Sequence, residues 1–537
     1  MAASECPTVL RSRHARKRSG VIDRGALELR RVDLRLAAAA VSITVALLLG
    51  IRQLTRPGAF LGLNEYDDGV YIAASIRLVR GVLPYQDFAF PHPPGIPLLL
   101  APLAWLLRHA SQRTLIGCTR ILTIAVSVLN VALIAYILRR RHWVGVLAGS
   151  LAFAVFPLAV TANKAMLLEP YAVLFTLAGV ALVFDGETWA VGRRSWIGWF
   201  LLGYGIIVKL WVVVPVVVLL VIGARTLRRT WKPTGAALVL GAGLPTLPFF
   251  LAAPSDFVRQ VVWAQIDRGA SRGSPSLGER FAYITGLRSY PQLTGGAPRA
   301  VALALVFVLA VGVGLFLRRR LTALDWFAVV GAVAVVAVLL ASSDFFMHYG
   351  YFTAAFLALA GGCAAAACAD ALSRCSGLPI TARQVGLGVM AAAIGVAGVV
   401  AVDRGFGVIR ETPGILTSGD PGRATEALIP RGACVVTDEV SLLLNANRLA
   451  TQPGCPALID SFYEWLLELP ERPPPSGPPY PDALVAKWKR WFEQAEYVVL
   501  SSEAFRVPWT PDLLEWFRER FVVVGSPFAV VYVRVAP

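Results

Sequence analysis

Eleven apolar runs dominate the sequence, at about 34–54, 115–138, 143–162, 170–185, 196–208, 210–224, 234–252, 299–317, 321–341, 350–370 and 383–403. Most approach the ~20 residues that an α-helix needs to cross the hydrocarbon core of a bilayer. Charged residues make up only 16% of the 537, and hydrophobic ones 56%. Soluble domains carry roughly 25% charged residues. One soluble core cannot bury this much apolar surface, whereas a bilayer can. The chain therefore reads as a polytopic α-helical membrane protein with about 11 transmembrane helices.

The formal net charge is +17. In a soluble protein this would point to nucleic acid, but here Lys and Arg fall between the apolar runs and anchor loops on the cytoplasmic side. No nucleic-acid partner is expected; membrane lipid is. Residues 1–33 include RSRHARKRSG and read as a basic, disordered cytoplasmic arm, followed by a retained first span. A twelfth candidate, PPGIPLLLAPLAWLLR (93–108), is not counted as a span. Without it, Arg139–Arg141, Arg193–Arg194, Arg225 with Arg228 and Arg229, Arg318–Arg320 and Arg374 with Arg383 share the cytoplasmic side with the arm. The run also holds four prolines and reads as a helix lying at the outer interface.

This topology puts a large loop, 55–114, outside the membrane. Asp67, Asp68, His92, Lys164, Glu169, Lys209, Asp344 and His348 then gather at the outer ends of spans. Ionisable groups near membrane depth are costly, and they usually serve function. Singly, each also fits a residue facing lipid headgroups.

The transmembrane domain is placed at 34–405. Residues 406–537 differ from it: short β-type runs (CVVTD, EYVVL, FVVVG, FAVVYVRV) alternate with helix-like stretches, and PERPPPSGPPYP (470–481) reads as a linker or surface loop. We expect a C-terminal extracytoplasmic α/β domain. Of seven cysteines, only Cys434 and Cys455 fall in it, so they are either a disulfide pair or two buried thiols. No CxxC or His/Cys spacing points to structural zinc.

The segment LNEYDDGVYIAA (63–74) sets two adjacent carboxylates after the first span. On a helix Asp67 and Tyr71 share a face. Such a pair could hold a divalent cation, act as general base, or only cap a helix. No phosphate-cradling Gly loop, GxSxG or HExxH occurs.

DDGVY is followed in order by YQDFAFPHPPG (85–95), NKAMLLEP (163–170), GYGIIVKLWVVVPVV (203–217) and HYGYFTAAFLALAGG (348–362). In this order they resemble the polyprenyl-phosphate-sugar-dependent membrane glycosyltransferases of the GT-C class, in the branch with protein O-mannosyltransferases and aminoarabinose transferases. The resemblance covers roughly 34–405. It implies catalytic roles for Asp67, Asp68 and Glu169, with the Asp67–Asp68 pair as the place for any divalent cation. It implies donor-phosphate contacts from Lys209 and His92, with Lys164, His348 or an Arg of the 253–298 loop making up for lost charge, and substrate positioning is expected of Tyr71 and Tyr349. Two positions depart from the aminoarabinose branch: Val70 stands where Arg is frequent, and His92 replaces the Lys before Pro-Pro. Both changes remove charge near donor phosphate, which argues against aminoarabinose transfer to lipid A.

The expected function is inverting transfer of a sugar from a polyprenyl-phosphate donor to a cell-envelope acceptor (glycan, lipoglycan or protein) on the outer face of the cell membrane. The alternatives are a transporter or flippase of lipid-linked saccharide, and a non-catalytic scaffold of the same fold. A transporter should carry broken helices and charges near mid-bilayer, whereas these charges collect at one face. The C-terminal domain is expected to orient the acceptor while the donor site stays among residues 67–209. Its aromatics Tyr463, Trp465, Trp488, Trp491, Trp509 and Trp516 mostly read as core, with Trp465 the one expected at the surface.

Overall fold

The structure is a computed structural model that describes residues 15–266, 275–290, 297–318, 320–411, 421–468, 480–501, 506–526 and 529–535. Each of the eleven apolar runs is helical. Ten labelled helices lead the chain: α1 (Ala15–Leu54), α2 (Tyr66–Val79), α3 (Gly95–Leu106), α4 (Gln112–Leu138), α5 (Trp143–Ala154), α6 (Pro157–Ala162), α7 (Leu168–Val183), α8 (Gly192–Val208), α9 (Val213–Leu227) and α10 (Trp231–Ala252). Long helices follow at Ala297–Phe316, Ala323–Ala341, Gly350–Arg374 and Ile380–Glu411. Among the described residues, seven helices are long and apolar enough to cross a membrane by themselves. α5 is shorter than its run, 143–162, suggested, and α6 takes up the rest of that run. Pro157 marks the reason: a proline fits the first turn of a helix but not its interior, so the chain breaks there.

The backbone of residues 15–33 continues α1 as one helix, where the sequence led us to expect a disordered arm. Ala, Arg, Leu and Glu are all good helix formers, and the span behind them supplies the nucleus. Residues 1–14 and most of the proline-rich stretch 470–481 lie outside the described residues.

Inside the bundle, α8 packs between α7 and α10, and Gly350–Arg374 packs against α5 and Ala323–Ala341. The outer surface is apolar: Val221 is 68% exposed and Val399 71%, as a lipid-facing surface requires. α3 has twelve residues, so it spans only ~18 Å. Its start is wedged against the end of α8, where a Cβ on Gly95 would lie 2.4 Å from the Ile207 carbonyl oxygen.

The two ends of the bundle differ chemically. At one end a short hairpin, β1 (Phe184–Asp185) with β2 (Thr188–Trp189), gathers acids for the arginines of neighbouring turns. Asp185 pairs with Arg140 at 2.9 Å and Arg194 at 3.1 Å, and buried Arg141 reaches Glu187 at 2.7 Å and Asp325 at 3.1 Å. The opposite end carries the C-terminal domain.

That domain is α/β. Its four-stranded sheet runs β3 (Val435–Thr437), β4 (Tyr497–Leu500), β6 (Val530–Arg534), β5 (Phe521–Gly525), with β3–β4 parallel and the other pairs antiparallel. Helices Asp482–Gln494 and Pro511–Arg520 cover it through Trp488, Phe492 and Phe517, the last two against Phe521 of β5. Cys434 and Cys455 are joined in a disulfide, with Cα atoms 5.4 Å apart. Trp465, expected at the surface, is instead buried at 8% exposure beside Tyr480. Its amphipathic helix, Ser461–Glu468, turns that face inward to the domain core.

Candidate active site

Glu65 opens α2 in an extended conformation and carries the chain onto a helix with Asp67 and Asp68 in its first turn. Carboxylates are favoured there by the helix dipole. The two acids then part company. Asp68 is buried and takes the Arg120 guanidinium of α4 at 2.7 Å, while Arg120 also donates to the Ala59 and Phe60 carbonyls. Asp67 instead lines a cavity of about 260 Å³ at this end of the bundle. The adjacent carboxylates therefore serve different partners rather than a shared cation. Among the described residues no three His, Cys, Asp or Glu groups come together as a metal cluster.

Around the cavity stand His92, Lys209, His348, Tyr71 and Tyr349, with Glu65 and Arg506. Each is placed by local structure. Lys209 sits at the break where α8 ends and a 3₁₀ turn, Leu210–Val212, begins. Its ammonium lies 3.8 Å over the Trp211 ring and 4.8 Å from that of Tyr349, and it ion-pairs with buried Glu169 in the first turn of α7. His348 Nε2 lies 3.6 Å from the same Glu169 oxygen. His92 Nε2 is 3.3 Å from the Tyr71 hydroxyl, which also lies 3.5 Å from Asp67. Tyr85 donates from its hydroxyl to the His92 carbonyl at 2.6 Å. It holds a positive φ of 70°, rare for a residue with a side chain.

Glu169 and Lys164, both expected in the site, stand behind it. Glu169 anchors Lys209 and His348. Lys164 pairs with Glu65 at 2.8 Å. Asp67 has no ion-pair partner among the described residues. Burial, reinforced by the Glu65, Asp460 and Glu169 carboxylates and opposed by Lys209, pushes its carboxyl up to about 7. A second cavity of about 240 Å³ shares Pro91, His92, Lys209 and Tyr349 with the first and extends past Trp211 to Ser342 and Asp344.

Sequence reasoning missed the contribution of the C-terminal domain. Asp460, Phe462 and Arg506 line the same cavity as Asp67. Asp460 accepts from the Tyr66 hydroxyl at 2.9 Å, and Arg506 lies 4.2 Å over the Tyr66 ring. Ser441 donates to the Tyr66 carbonyl at 3.2 Å. A Cβ on Gly69 would lie 2.8 Å from the Ser441 Cα, so the glycine of DDGVY admits this approach. The sequence assignment of donor site to 67–209 and acceptor handling to the C-terminal domain is thus too clean: both parts wall one chamber. No motif in ALIDSFYEW or in the stretch before VPWT announces this.

Residues 116–254 match the model of a family described as dolichyl-phosphate-mannose-protein mannosyltransferase. No curated protein sequence matches the chain. Among solved structures it is similar to the crystal structure of ArnT from Cupriavidus metallidurans bound to undecaprenyl phosphate. The TM-score is 0.58 at 15% sequence identity, covering 93% of this chain and 98% of that one. At that identity the second match speaks for the fold. The family match lies over the front of the membrane domain and the shared fold over nearly the whole chain, and in both the chain is similar to membrane glycosyltransferases of the GT-C class.

Proposed function

We propose that the protein transfers a sugar, with inversion, from a polyprenyl-phosphate donor to a hydroxyl of a cell-envelope glycan, lipoglycan or protein, on the extracytoplasmic face. One observation carries the reading: Asp67, an unpaired carboxylate pushed up to about 7, shares a cavity with the cations Lys209 and Arg506 and with His92 and His348. Transfer from a lipid phosphate needs a base for the acceptor hydroxyl and positive charge for the departing phosphate. The undecaprenyl phosphate in the ArnT structure supports a donor of that kind.

In this reading Asp67 takes the proton of the acceptor hydroxyl as that oxygen attacks the anomeric carbon. The bond from that carbon to phosphate oxygen breaks, and Lys209 with His92 and His348 receives the charge on the leaving phosphate. Glu169 is a positioning residue that holds Lys209 and His348 in register. The arm of the cavity past Trp211 and Leu210 gives the prenyl chain a way into lipid. The extracytoplasmic placement is supported by the Cys434–Cys455 disulfide, which belongs to an oxidising compartment, and by the arginines collected at the far end.

The test is to incubate membranes bearing the protein with radiolabelled polyprenyl-phosphate sugars. Label should leave the lipid and appear in an envelope polymer, and the Asp67→Asn variant should leave it on the lipid. Lipid-linked sugar that crosses vesicles intact would favour a transporter instead.

A further inference from the structure

We propose a binding site for an anionic phospholipid at the end of the bundle away from the candidate active site, in the wedge between α9 and α10. α9 packs on the Ala323–Ala341 helix and α10 on α8. A cavity of about 470 Å³ lies between the two, lined by Leu220, Leu227, Arg228, Trp231, Thr234 and Leu238. Its walls are apolar on the side toward mid-membrane, which suits acyl chains.

Its mouth is basic and uncompensated. At the same end, Arg140, Arg141, Arg194 and Arg318 are neutralised by Asp185, Glu187 and Asp325. Arg225, Arg228, Arg229 and Lys232 have no ion pair among the described residues, although the hairpin is close enough for Trp189 to meet a Cβ placed on Gly223 at 2.8 Å. The first turn of α10 opens in the midst of these four cations. Its N-cap, Thr230, makes no side-chain cap, and no acid stands in that turn. The free N–H groups and the positive dipole end favour an anion there.

Thr234 provides the independent sign. It is only 5% exposed and lines the cavity, yet its hydroxyl has no hydrogen-bond partner among the described residues. A hydroxyl that opens onto the cavity in this way can donate to a phosphate or glycerol-ester oxygen in the wedge. Trp231, at 64% exposure, has the position of an interfacial aromatic beside the headgroup. A single-charged headgroup with two chains fits a wedge that opens sideways to the bilayer. Bulk anionic phospholipid is therefore the occupant assigned.

Native mass spectrometry of the whole protein, released from nanodiscs of phosphatidylcholine mixed equally with phosphatidylglycerol, tests this. Phosphatidylglycerol should be retained in preference, by roughly fivefold for each engaged cation. The Arg228→Ala/Lys232→Ala double variant should lower that preference by roughly 25-fold. Gly235→Leu should also lower it, by filling the wedge; a Cβ there meets nothing within 4 Å, so the fold accommodates it. Equal retention of the two lipids by the unaltered protein would overturn the proposal, as would either variant keeping full preference. Displacement of phosphatidylglycerol by equimolar polyprenyl phosphate would reassign the wedge to the carrier and overturn it too. Unchanged donor consumption by both variants in phosphatidylcholine alone confirms that they are folded.

Discussion

At residue scale the adjacent acids Asp67 and Asp68 separate by neighbour, not by type. Asp67 faces the cavity without an ion pair, so Asp67→Asn should lower transfer by ~10²–10⁴ while donor still binds. Because the carboxyl titrates near 7 and must be ionised to take a proton, kcat/KM should rise with pH through about 7. An acid limb below pH 5 would assign the base elsewhere. The same shift has a stability consequence. A carboxyl raised from 3.8 to about 7 binds more protons folded than unfolded, so its contribution falls as pH rises across that window. Asp67→Asn removes the cost, and at pH 8 the inactive variant should melt above the unaltered protein. Asp68→Ala should behave in the opposite way. It strands Arg120 in a buried site, which costs ~3–5 kcal/mol, read as a lower melting temperature.

At the scale of elements, the decisive contact is α2 against the C-terminal domain. Gly69→Ala puts a Cβ 2.8 Å from the Ser441 Cα, so one backbone must shift and carry Asp460 and Arg506 with it. Turnover should fall with insertion unchanged; wild-type rates would mean that the domain does not close the chamber. Removal of everything after residue 411 should abolish donor binding as well as acceptor use, because it takes away Asp460, Phe462 and Arg506. Within the domain the disulfide closes a 21-residue separation, worth ~3 kcal/mol by chain entropy. The Cys434→Ser/Cys455→Ser pair should therefore melt at lower temperature.

For the whole molecule, sidedness follows from where charge collects. Cys375 is exposed at the arginine-rich end, and Ser276 is exposed at the end bearing the cavity. Native Cys375 should resist an impermeant thiol reagent in intact cells and react after permeabilisation, while Ser276→Cys should react from outside. The reverse pattern would mean that residues 93–108 cross the bilayer.

How far these properties could be seen in advance depends on range. The spans were legible because a bilayer imposes a length and a polarity on crossing helices, a rule that seven of the described helices meet by themselves. Asp67, His92, Lys209 and Tyr349 were legible because they lie in motifs beside span ends, and their resemblance to a family ties each to a role. The sequence alone could not assign Asp68 to Arg120 or Glu169 to Lys209, since these partners are 52 and 40 residues apart and meet only when helices pack. Still less could it place Asp460 and Arg506 over Tyr66, close to four hundred or more residues away. Composition and periodicity are local properties and determined the membrane fold. The charge on Asp67 depends on burial and on carboxylates from two distant segments, Glu169 and Asp460, besides neighbouring Glu65, so only the tertiary structure set Asp67 apart from Asp68.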